Sequence, residues 1–147
     1  MKNLTLVAFV LVTLSTSILA KNKHFYADVQ VTDIKPTSDF IWKRANQNTP
    51  KYPIELARSG IKGCAVLSFD ISELGETENV EVINSVPKKN LGKYSGKMLK
   101  KWKWVPVSTT AKPASEKRTL RLDFCVGEES TEQSQQACKQ QAQLACG

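Results

Sequence analysis

A chain of 147 residues, 41% of them hydrophobic, suits one small globular core and argues against a second domain of similar size. The formal charge is +7; without Lys2, which lies in a segment read below as removed, 20 basic and 14 acidic side chains leave +6, an excess that favours solubility and weak attraction to anionic surfaces without identifying nucleic acid as a partner. The only histidine is His24, and the four cysteines show no Cys-x-x-Cys spacing, so neither a zinc site nor another metal or cofactor site is expected.

Residues 1–20 open with Lys2, continue as an apolar run over residues 4–14 broken by Thr5 and Thr13, and end in small and hydroxyl side chains up to Ala20. That order describes a secretory signal peptide. We place the cut after Ala20, with Ser17 as the alternative because Ile18 is larger than the side chain preferred three residues before a cut. If retained, the segment would be an inner-membrane anchor, although its run is shorter than the ~20 apolar residues that cross a bilayer.

Residues 21–49 form an N-terminal extension. His24-Phe25-Tyr26-Ala27-Asp28-Val29-Gln30-Val31 has the aromatic and β-branched content of a strand, ended by Lys35-Pro36. Phe40, Ile41 and Trp42 make an apolar knot before a polar loop, and the extension reads as packing on the domain edge rather than as a ligand-binding surface.

The main domain covers residues 50–127. A short helix follows Pro53, which sits in its first turn, with Ile54, Leu56 and Ala57 toward the core and Gly60 as its stop. Alternation then begins: Ala65, Leu67, Phe69 and Ile71 share one face of a strand, a loop around Gly75 turns the chain, and Asn79-Val80-Glu81-Val82-Ile83 returns it. Gly60 and Gly63 follow a helix and precede a strand, the reverse of the order in a phosphate cradle. Pro87 ends the second strand, and Asn90 is placed to cap a second helix whose apolar stripe is Leu91, Tyr94, Met98, Leu99 and Trp102. Its many lysines read as a solvated face rather than a nucleic-acid surface. Trp104, Val105 and Pro106 close that helix, and a polar loop leads to a late strand with Leu120, Leu122, Phe124 and Val126 on its apolar face. The tail, residues 128–147, is glutamine-rich; Ser130 and Gln133 form a capping box for a helix with only a thin apolar stripe.

Export would oxidise Cys64, Cys125, Cys138 and Cys146 into two pairs. Strand parity puts Cys64 and Cys125 on the non-core faces of the first and late strands, one near a strand start and one near a strand end. Antiparallel neighbours would bring these together, so Cys64 is expected to pair with Cys125 and Cys138 with Cys146. The second pair requires a turn, because eight residues of unbroken helix span ~12 Å.

The order helix, strand, strand, helix, strand carries Tyr52-Pro53 at its entry, Gly60-x-x-Gly63 before the first strand, Ser85-x-Pro87 after the second, and Trp102-Lys103-Trp104-Val105-Pro106 after the second helix. From about residue 50 to 126 the chain resembles the TonB C-terminal domain family. Thr77 stands where the family often has an apolar residue. The resemblance implies an α+β domain with a three-stranded antiparallel sheet, two helices packed on one face, and the late strand at an edge beside the first. It also implies a periplasmic protein-interaction module in TonB-dependent transmembrane transport, gripping an extended segment of an outer-membrane receptor or other envelope protein by strand addition. The binding edge would be Leu120, Arg121, Leu122, Asp123, Phe124, Cys125 and Val126. The alternative is a disulfide-stabilised structural or assembly subunit of an envelope complex without a transport role. A homodimer is left open. No enzyme is expected: His24 has no paired nucleophile in the pattern, and Asp70, Glu73, Glu76 and Glu78 read as a solvated hairpin tip.

Overall fold

Alternation of apolar side chains builds a long hairpin at the centre of the molecule, strand β3 (Gly63–Ile71) followed by β4 (Thr77–Val86). In the computed structural model, which describes residues 25–34, 39–110 and 112–147, these strands belong to a four-stranded antiparallel sheet. Residues 1–20, read above as a signal peptide, His24, and the Lys35-Pro36 pair expected to end the first strand lie outside the described residues. The remaining strands are β1 (Tyr26–Asp33) and β6 (Glu116–Gly127), and the spatial order is β1-β6-β3-β4. The α+β class is as expected. The sheet has a fourth strand because the N-terminal extension adds β1, which packs on the domain edge and pairs with β6 over Tyr26↔Gly127 to Asp33↔Leu120.

One face of the sheet carries helix α1 (Ile54–Arg58) and helix α2 (Asn90–Leu99) over a core of Leu67, Phe69, Ile71, Leu120, Leu122 and Phe124. Helix α1 buries Leu56 alone; Ile54 is 57% exposed and Ala57 is exposed, because five residues form little more than one turn and present one side. Pro53 precedes that helix, its carbonyl accepting from the amides of Leu56 and Ala57. In α2, Leu91 and Leu99 are fully buried, with Tyr94, Met98 and Trp102 packed against the core, and Lys93, Lys97 and Lys100 exposed. Asn90 is the first residue of α2 and makes no side-chain cap.

The segment expected to close α2 is instead a strand. β5 (Trp104–Pro106) pairs with β2 (Trp42–Arg44) in a small second sheet, through Trp42↔Pro106 and Arg44↔Trp104. Both tryptophans are buried; Trp104 stacks on Phe69 at 5.4 Å, and its Nε1 donates to Thr77 Oγ1 at 2.8 Å. The Thr77 hydroxyl in turn donates to the Trp102 carbonyl at 2.8 Å, so a polar residue at this position ties the hairpin to β5.

The opposite face of the sheet is covered by helix α3 (Thr131–Gln141). Ser130 Oγ caps it by accepting from the Gln133 amide at 3.1 Å, while Gln133 Oε1 accepts from the amides of Glu128 and Glu129.

Candidate functional site

Strand β6 contains all seven residues expected to form a binding edge, and the fold uses both of its faces and both of its edges. Leu120, Leu122 and Phe124 point into the main core. Arg121, Asp123 and Cys125 point the other way, under α3. Val126 is half-buried, opposite Ala27. Along its inner edge β6 pairs with β3, from Gly63↔Phe124 to Ile71↔Glu116. Along its outer edge it pairs with β1. The expectation that this strand lies at a free edge is therefore corrected: β6 is interior, and β1 is the strand at that side of the sheet. β1 is held by more than its ladder, because Val29, 2% exposed, enters the core opposite Phe124 and Val31 packs beside Leu122.

Beneath α3 lies a fully satisfied polar knot. Asp123, with no solvent exposure, accepts from Arg121 through both carboxylate oxygens at 2.9 Å, the forked geometry a guanidinium gives a carboxylate. Gln141 Nε2 donates to Asp123 Oδ1 at 2.9 Å and to the Gly63 carbonyl at 2.7 Å. Arg121 also donates to the carbonyl of Gln141, the last residue of α3, at 2.9 Å and to that of Leu144 in the turn beyond it at 2.6 Å, so one guanidinium holds the end of the helix to β6.

The disulfides join the same face, in a pairing different from the expected one. Cys125 bonds Cys138 and Cys64 bonds Cys146, with Cα separations of 5.4 and 5.8 Å. Parity was right in placing Cys64 and Cys125 on one face, but the register pairs Cys64 with Asp123, which leaves Cys125 two residues out of line. Diagonal partners stand ~7–8 Å apart, too far for a disulfide without backbone movement. Helix α3 lays Cys138 over Cys125, and the turn after it carries Cys146 back to Cys64. The sequence reads the tail as a separate stapled helix; the cysteine at position 125, on the same face of β6 as Arg121 and Asp123, was the available sign that something covers that face.

Among the described residues no three His, Cys, Asp or Glu side chains stand together as metal ligands, and no helix is long and apolar enough to cross a membrane.

The profile of the Gram-negative bacterial TonB protein C-terminal domain matches residues 48–126, more than half of the chain. The chain belongs to the TonB C-terminal domain family. Among curated relatives, Protein TonB from two strains of Xanthomonas campestris pv. campestris, B100 and ATCC 33913, is 27% identical over 81 residues, 55% of this chain and 36% of the relative. The chain thus spans about a third of the length of those relatives. The solution NMR structure of the Pseudomonas aeruginosa TonB CTD aligns with a TM-score of 0.46 and 24% identity over 59% of this chain and 87% of that one. The TonB-family match runs from the loop before α1 to the end of β6, so both elements that cover β6 from outside, β1 and α3, flank the TonB-family domain.

Proposed function

We propose that the chain is a TonB-like interaction module of the periplasm that serves TonB-dependent transport by capturing an extended segment of an outer-membrane receptor or another envelope protein at the outer edge of β6. One observation carries this reading: that edge accepts an extended antiparallel segment over an eight-residue register, and the segment it holds, β1, lies outside the TonB-family domain. Backbone N–H and C=O groups supply such pairing whatever the side chains, so a partner strand and β1 compete for the same groups. Capture then proceeds by exchange, and affinity is reduced by the small fraction of molecules in which β1 is released.

The test is titration of the oxidised full chain with a synthetic TonB-box peptide, beside Val29→Asp. An unpaired carboxylate in the core opposite Phe124 costs roughly 3 kcal/mol and loosens β1. The variant should therefore bind the peptide at least about tenfold more tightly than the wild type. Failure of both proteins to bind sinks the reading.

A second reading is the disulfide-stabilised assembly subunit, favoured by the commitment of Arg121, Asp123 and Cys125 to α3. It predicts a stoichiometric envelope partner whose recovery is indifferent to the peptide.

A further inference from the structure

The loop after β2 and the C-terminal half of α2 enclose a cleft of ≈ 850 Å3, within the size range of small-ligand and peptide side-chain sites. None of the residues lining it belongs to β6. Its floor is apolar and aromatic, made by half-buried Tyr52, Tyr94, Met98 and Trp102. Its rim is cationic: Arg44, Lys51, Lys97 and Lys101 surround the floor, Lys103 is already paired with Glu76, and Glu55 is the one carboxylate in the lining.

Arg44 gives the cleft its chemistry. Its guanidinium lies over the Trp102 ring at 4.6 Å, and Nη2 donates to the Asn48 carbonyl at 2.8 Å. Ring and carbonyl fix the plane of the group and leave most of its N–H donors unused. No carboxylate among the described residues pairs with it, and burial lowers its pKa from the ordinary value, the sign of a partly desolvated cation without a counter-ion. A planar cation stacked on an indole is preorganised for forked contact with a carboxylate. Lys97 and Lys101, one helical turn apart and both exposed, add attraction along the rim. The cleft adjoins the C-terminal half of α2, the negative end of its dipole, which disfavours a compact polyanion such as phosphate more than carboxylates spaced along a chain. The aromatic floor requires an apolar group between those charges.

We propose that this cleft binds an acidic linear segment of a partner protein, with carboxylates on Arg44, Lys97 and Lys101 and an intervening aromatic or aliphatic side chain against Trp102, Tyr94 and Met98. The site is independent of strand exchange at β6.

The probe is a synthetic peptide of Asp and Glu residues flanking a central Phe, titrated into the oxidised full chain by calorimetry, with an Asn/Gln analogue, inorganic phosphate and phosphatidylglycerol vesicles as parallel arms. The acidic peptide should bind saturably and more tightly at low salt, and the amide analogue should lose about tenfold or more, the scale of a lost charge-assisted contact. Lys97→Glu with Lys101→Glu should cause a similar loss, as should Arg44→Gln; the exposed pair keeps the fold intact if Arg44→Gln does not. Lys88→Glu with Lys89→Glu, of the same charge change but outside the cleft, should leave affinity unchanged. Absence of saturable binding, equal binding of the amide analogue, an equal loss in the Lys88 and Lys89 variant, or preference for phosphate or vesicles over the peptide would each overturn the proposal.

Discussion

Tyr52 shows how one side chain couples entry to the domain with pH. Its hydroxyl donates to the Ile61 carbonyl at 2.6 Å and its ring meets Phe124 edge-on at 5.5 Å, so the residue before Pro53 locks the loop after α1 onto the core. Burial raises its pKa from 10.0 to about 12. The folded state holds this proton after the unfolded chain has released it, so the stabilisation is complete below pH ~10 and is lost as pH rises toward ~12. Urea midpoints measured across that range should fall less steeply for Tyr52→Phe than for the wild type, and equal slopes would remove Tyr52 from the account. Gly75 is constrained by backbone. At φ +75° it turns the hairpin, and a Cβ there would stand 2.3 Å from the Trp104 carbonyl oxygen. Gly75→Ala should lower stability by about 2 kcal/mol or more in chemical denaturation, since the obstacle is main chain that also holds the Trp104 amide on the Gly75 carbonyl. That glycine was legible as a turn residue in the sequence. Its closeness to Trp104 was not, because the contact joins positions 29 residues apart.

Among the elements, β3, β4, α2 and β6 were legible because their apolar periods run long enough to distinguish two from 3.6. β2 and β5 are three residues each, too short to show a period, and Trp104-Val105-Pro106 therefore read as the close of a helix when it is half of a tryptophan-lined ribbon. Helix α3 was legible as a helix and not as a lid. Its apolar stripe is thin, and what docks it is a buried carboxylate, a glutamine and two disulfides, none of which gives a hydrophobic pattern. The crosslinks differ in reach. Cys64 and Cys146 close 82 residues of separation, Cys125 and Cys138 only 13, so loop-closure entropy assigns about 4.5 and about 3 kcal/mol respectively. Replacing each pair by serines should reproduce that order in urea denaturation, and mass mapping of the oxidised wild type should return peptides joined as 64 to 146 and 125 to 138. Recovery of a 64 to 125 linkage would contradict the geometry of the α3 face.

At the scale of the whole molecule, a TonB-family domain is enclosed by its own flanks. The tail covers one face of β6 by covalent and polar means, and the extension covers its outer edge by hydrogen bonds and a few apolar contacts. These two closures are not equivalent. No disulfide joins β1 to the rest of the chain, whereas α3 is tied to β6 and the tail to β3. Residues 120–126 were legible from the sequence as a strand beside the first strand of the hairpin, but strand parity says nothing about which segment fills a sheet edge, and the alternation in Tyr26 to Val31 suits a partner of any strand. The central claim is that β1 holds the β6 edge and gives way to a partner segment. Hydrogen exchange of the oxidised full chain, with and without saturating TonB-box peptide, tests it most directly. The account predicts that amides of residues 26–33 exchange faster when peptide is bound while those of residues 120–126 stay protected; bound peptide that leaves residues 26–33 as protected as before would contradict it.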